Sequence, residues 1–95
     1  MIVRISGSGQ YELRDDLAHR LDVMDGRLTS ALHEHREADF HQLLAEAIDF
    51  VQTSGEPVAH ERIVSSDVII PPEDVTLPEA QSFFNGERLV RSQPT

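Results

Sequence analysis

The sequence contains no cysteine, no tryptophan and no lysine; all eight of its cationic residues are arginine. Without cysteine there is no disulfide framework, no thiolate nucleophile and no Cys-based zinc or iron–sulfur site. Aromatic residues make up only 5% of the 95 positions and apolar residues 39%. That suits a single folding unit, which at this size buries roughly two-thirds of its unfolded surface. No stretch approaches the ~20 apolar residues that span a bilayer. The N-terminus, Met1-Ile2-Val3-Arg4-Ile5, lacks the basic region and long apolar run of a signal peptide. Positive charge is scarce as well: 17 Asp+Glu face 8 Lys+Arg, a formal net charge of −9. This argues against direct binding to nucleic acid or to an anionic membrane, since both attract clustered Lys and Arg. Composition therefore points to a soluble, cytoplasmic, acidic domain whose partner is basic, neutral or another protein.

The first residues alternate. Val3 and Ile5 share one face, Arg4 and Ser6 the other, which is the period of a half-buried strand. Gly7-Ser8-Gly9 supplies two residues free to take positive φ, and Gln10-Tyr11-Glu12-Leu13 resumes the alternation. The pattern predicts a β-hairpin, which is marginal alone and must pack on something else. Asp15-Asp16 then reads as a helix start, with Asp15 as N-cap. Leu17, Leu21, Met24, Leu28, Ala31 and Leu32 recur at three- and four-residue spacings over roughly five turns. Gly26 inside this run costs about 1 kcal/mol relative to Ala.

A polar link follows near His35-Arg36. A second periodic run, Phe40, Leu43, Leu44, Ala47, Ile48 and Val51, ends at Gly55, a natural C′ residue, with Pro57 beyond it. Two helices joined so closely should form an antiparallel αα-hairpin. The last third is irregular. Ile63-Val64 and Val68-Ile69-Ile70 are short apolar runs, and pairing of either with the hairpin makes a three-stranded sheet. Pro71-Pro72 ends the second run. Thr76-Leu77-Pro78-Glu79 is a capping-box pattern that opens a short helix carrying Ala80, Phe83 and Phe84, closed by Asn85-Gly86. Leu89-Val90 adds a last apolar contact. The fold class expected is α+β: N-terminal β-hairpin, antiparallel αα-hairpin, short third strand and small C-terminal helix. It occupies residues 1–90, with 91–95 a disordered tail.

Few side chains carry the marks of chemistry. His33, His35 and His41 stand among Glu34, Glu37 and Asp39, and imidazole with carboxylate is a zinc-type donor set. In a helix His33 and His35 point to different faces, and His41 has no His partner four residues on. The cluster reads as a solvated turn; its alternative is a His-dependent metal or pH sensor. His19, near Asp15, Asp16 and Asp22, has no nucleophile motif such as G-x-S-x-G to serve. Gly7-Ser8-Gly9 has neither the G-x-G-x-x-G nor the GK[ST] context of a phosphate loop. Residues thus predict neither a catalytic site nor a cofactor. Apolar surface is more informative: a hairpin leaves strand edges open, and an open edge needs cover or a partner. Candidate partner contacts are the edge near Val3 and Ile5, the segment Ile69-Ile70-Pro71-Pro72, and Phe83 and Phe84.

The residues Ile2-Val3-Arg4-Ile5-x-Gly7-x-Gly9-Gln10-Tyr11, Asp15-Asp16, Leu21-x-x-Met24-Asp25, Phe40-x-x-Leu43-Leu44 and Gly55-Glu56-Pro57 resemble the PspA-associated domain family, PspAA. Ser66-Asp67-Val68-Ile69-Ile70-Pro71-Pro72-x-Asp74-x-Thr76-Leu77-x-Glu79 is the most specific part of the resemblance, which extends over residues 2–85. The family often has Gly-Asp at the helix–helix turn, where this chain has His35-Arg36. His tolerates a left-handed backbone less well than Gly, and Arg36 is a poor N-cap. The resemblance implies a non-enzymatic companion of PspA, the coiled-coil, membrane-remodelling protein of the phage-shock response. It also implies recruitment to the inner face of the membrane through that partner.

Overall fold

The computed structural model describes residues 1–59, 61–62 and 64–83. Alternation at the N-terminus produces β1 (Ile2–Ile5) and β2 (Gly9–Glu12), paired antiparallel with Val3 opposite Tyr11 and Ile5 opposite Gly9. The loop between them is Ser6-Gly7-Ser8, one residue earlier than the pattern suggests. Gly7 and Gly9, at φ 87 and 102, take the left-handed backbone that the tight reversal needs. Leu13 continues the ladder past β2, its N–H donating to Met1 O at 2.8 Å.

The first helix begins directly after this ladder, one residue earlier than the pattern suggests. The N-cap of α1 (Asp15–His33) is Arg14, with no side-chain cap bond, so Asp15 does not cap as expected. Asp15 and Asp16 instead lie in the first turn, where their charge suits the positive end of the helix dipole. The 3.6-residue period buries Leu21, Leu28, Ala31 and Leu32 of α1 against Phe40, Leu44, Ala47 and Val51 of α2 (Glu37–Ser54).

Between these helices the chain closes a Schellman motif. Arg36 N–H donates to Ala31 O (2.9 Å) and His35 N–H to Leu32 O (3.2 Å). His35 is therefore the C′ residue, held left-handed at φ 57, where glycine is usual. Arg36 is the N-cap of α2 without a capping side-chain bond, so the poor cap residue does not displace the helix start. Its guanidinium straps the turn instead, at 2.9 Å from Glu34 Oε1 and 2.8 Å from Asp39 Oδ2.

Gly55 ends α2 for a different reason from the one the sequence suggests. Its backbone is extended (φ −86, ψ 164), not left-handed. What it requires is space: a Cβ here lies 2.8 Å from Val51 O, 3.1 Å from Tyr11 Cβ and 3.2 Å from Leu13 Cδ2. The close approach lets β3 (Glu56–Pro57) pair with β2, Tyr11 opposite Pro57 and Glu12 opposite Glu56. Pro57 was expected only to stop a helix; at a sheet edge it is tolerated as a strand residue.

The sheet gains its remaining strand from β4 (Val68–Ile70), which lies parallel to β1 with Val3 opposite Val68 and Ile5 opposite Ile70. The order is β3-β2-β1-β4, a mixed four-stranded sheet rather than the expected three-stranded one. Val64 is not in a strand, and Ile63 lies outside the described residues. Val3, Ile5, Val68 and Ile70 face inward, and together with Leu13, the α1 and α2 residues, Val75 and Ala80 they form one core. The connection from β3 to β4 crosses the outer face. It is tied down where Gln10 Nε2 donates to Val64 O (3.0 Å) and Ser66 Oγ (2.8 Å). The short helix α3 (Leu77–Gln81) packs on α1. Phe84, Asn85-Gly86, Leu89-Val90 and the tail 91–95 lie outside the described residues, as does His60.

Two substitutions test these local accounts. Gly55→Ala forces backbone or core atoms apart and is expected to destabilise by about 1–3 kcal/mol. His35→Gly removes the left-handed penalty against a more flexible unfolded chain and is expected to stabilise by about 0.5–1 kcal/mol. Urea unfolding midpoints at constant m-value check both signs.

Candidate partner-binding surface

The expected edge at Val3 and Ile5 does not exist. β1 pairs on both sides, and the two side chains are fully buried in the core. The physical reason is β4: its apolar triplet shares the core face with β1, and burying it closes the edge that the hairpin leaves open. Ile70 and Pro71 are buried too, so their exposed surface is gone. Ile69 points to the outer face and is half-buried, as are Pro72 and Phe83. Of the seven residues expected to meet a partner, Ile69 and Phe83 are therefore those with accessible side chains; Phe84 is not described.

Three local devices fix this C-terminal segment. Asp67 docks the start of β4: Ile2 N–H donates to Asp67 Oδ2, and Asp67 N–H donates to Ile2 O, both at 2.8 Å. Pro71-Pro72 stop the strand after three residues, because proline has no N–H to extend a ladder. Thr76 and Glu79 then form the capping box seen in the sequence. Glu79 N–H donates to Thr76 Oγ1 (3.3 Å), and Thr76 N–H donates back to Glu79 Oε1 (3.1 Å). The box seats Ala80 in the core. Among the described strands, β4 has no neighbour on its far side, so a short free edge runs beside Ile69.

A second accessible region lies on the αα-hairpin. Val23 is 48% exposed, the one large apolar side chain so exposed among the described residues. With Gly26, Arg27 and Ser30 of α1, and Arg36 and Leu43 from the turn and α2, it lines a shallow groove of about 400 Å³. Nearby, the Arg20 guanidinium stacks 5.5 Å over the Phe50 ring, joining α1 to α2. Val23 did not stand out in the sequence because it sits between Asp22 and Met24, next to the apolar stripe. The available signal was its angle: on a helical wheel it lies opposite Leu21, Asp25 and Leu32. Asp25 is the reverse case, a carboxylate inside the buried stripe, 1% exposed, with the Thr29 hydroxyl donating to its carbonyl at 2.8 Å.

The four described histidines do not converge. His19, His33 and His35 are exposed, and His41 stands 3.9 Å from Glu37 and edge-on to the Phe40 ring at 5.7 Å. Among the described residues no group of three or more His, Cys, Asp or Glu is placed to hold a metal ion. No helix among them is long and apolar enough to cross a membrane.

The described residues form one mixed sheet covered on one face by an αα-hairpin and a small capped helix, with accessible surface rather than a converging set of His, Cys, Asp or Glu side chains among them. The model of the PspA-associated protein family, PspAA, matches residues 1–92. The chain belongs to that family, whose name records association with PspA. No curated protein and no solved structure matches it.

The capping box carries a pH dependence. Hydrogen bonds from the Thr76 backbone and then its hydroxyl hold the Glu79 carboxyl below its ordinary value of 4.5. A depressed carboxyl contributes stability above its unfolded value, and the contribution disappears as pH falls through the lower folded value. The stability advantage of the native chain over Glu79→Ala should therefore be constant above pH 4.5 and shrink below it. Thermal unfolding of both proteins between neutral and acidic pH measures this.

Proposed function

We propose that the chain is a non-catalytic interaction module that partners a PspA-like coiled-coil, membrane-remodelling protein in the envelope-stress response. The observation that carries this reading is the family match over residues 1–92. The accessible strips support it. The αα-hairpin offers a shallow groove around an exposed valine, where a partner helix could lay its apolar face. The β4 edge beside Ile69 offers a short site for main-chain pairing. The net charge of −9 suits a basic stretch of the partner. It also keeps the chain itself off anionic lipid, so the partner makes the membrane contact. On this reading the protein works in the cytoplasm, recruited to the inner face of the membrane through PspA.

Co-elution of the purified chain with a purified PspA-like protein tests the proposal. Binding at low salt that weakens several-fold as ionic strength rises is the expected result. Failure to co-elute overturns the partnership, and binding indifferent to salt overturns its electrostatic part. A Val23→Glu variant that retains full affinity removes the helical groove from the interface.

A further inference from the structure

We propose that the outer face of the sheet carries a binding site for a phosphate-type oxyanion, formed by Arg4 and Arg62. Strand alternation sets the first of these: with Val3 and Ile5 buried in the core, Arg4 must project outward, opposite Gln10 and Ile69. The crossing connection brings the second. Val58 N–H donates to Gln10 O (2.9 Å) and Arg62 N–H closes a turn onto Ala59 O (3.0 Å). The Gln10 amide, engaged with Val64 and Ser66, pins the far end of this segment to the sheet. Between segment and sheet is a cleft of about 220 Å³ that both arginines line, together with Gly9, Gln10, Val58 and Val64.

The charge pattern distinguishes this cleft. In a chain with more than two carboxylates per arginine, no carboxylate among the described residues lines it. Arg14 lies near Asp16, Arg36 is held by Glu34 and Asp39, and Arg20 stacks on Phe50. Arg4 and Arg62 make no ion pair among the described residues. Two arginines lining one small cleft match the charge of a phosphate near −2 better than that of a single carboxylate. Their planar forks also suit its several acceptor oxygens. Gly9, without a side chain, leaves the floor of the cleft open. The apolar Val58 and Val64 walls fit a small organic group attached to the phosphate. Because the whole molecule is strongly anionic, the charge balance favours a soluble phosphate compound over a charged lipid surface. The site is independent of the PspA partnership, and either is testable without the other.

The test uses the full chain and inorganic phosphate as probe, with sodium chloride at equal ionic strength as reference. Thermal unfolding and calorimetric titration are followed for the native protein, Arg4→Gln, Arg62→Gln and, as control, Arg27→Gln. Both cleft arginines are exposed, so the variants are expected to fold. Phosphate is expected to raise the melting temperature of the native and Arg27→Gln proteins. The dissociation constant should weaken about tenfold or more in Arg4→Gln and in Arg62→Gln. Co-sedimentation with phosphatidylglycerol vesicles separates the sources. Retention lost in Arg4→Gln assigns a lipid headgroup, whereas a phosphate response without retention assigns a soluble ligand. A native protein indifferent to phosphate and not retained on vesicles overturns the site, as does an equal response in all four proteins.

Discussion

The grip of Asp67 on Ile2 is the interaction on which the rest of the fold depends. One carboxylate oxygen and one backbone N–H join residues 65 positions apart in the chain, each at 2.8 Å. The bonds set the register of β4 on β1, and that register decides which face each apolar residue of Val68-Ile69-Ile70 takes. A slip by one residue would send Val68 and Ile70 to the outer face and leave Ile69 alone inside. Parallel pairing cannot be made by a hairpin and needs a long crossover. Here the crossover contains both large helices, so the docking of β4 also closes the core over them. Position and capping of α3 follow, because Pro71-Pro72 turn the chain towards α1 directly after the strand.

The same closure removes the surface on which a partner was first expected. An open edge on β1 is a hazard, and the chain covers it with its own fourth strand rather than with another protein. The exposed edge moves to β4, where three residues and two prolines keep it short. Accessible apolar surface among the described residues is thereby divided between this short edge and the outward side of the αα-hairpin. Charge is divided as well. A net charge of −9 describes the molecule at a distance, but individual clefts differ from it: Arg14 and Arg36 pair with neighbouring acids, whereas Arg4 and Arg62 make no ion pair among the described residues.

Local patterns were a dependable guide wherever a residue's conformation is determined by its near neighbours. Periodicity located both helices, alternation located the hairpin, and Thr76 with Glu79 located the cap of α3. The turn at His35 was visible as a polar break, and its left-handed residue follows from the Schellman bonds that any such short link needs. Where the guide failed, the deciding atoms were distant. Gly55 looked like a left-handed stop signal, yet Tyr11 and Leu13 of another strand are what forbid a side chain there. Gln10 and Asp67 gave no sign in the sequence that they would tie the crossover to the sheet.

By itself, then, the sequence determined the hairpin, both long helices, the cap of α3, the apolar face of each long helix, the family and the absence of any cysteine chemistry, because these depend on residues a few positions apart. Only the tertiary structure decided that β1 is interior, that β4 runs parallel to it, that Val23 stands free, and that Arg4 and Arg62 share a cleft. Each of these is a matter of which distant segments meet. That outcome rests on the balance between burying an apolar face and closing a long loop, which no local pattern encodes.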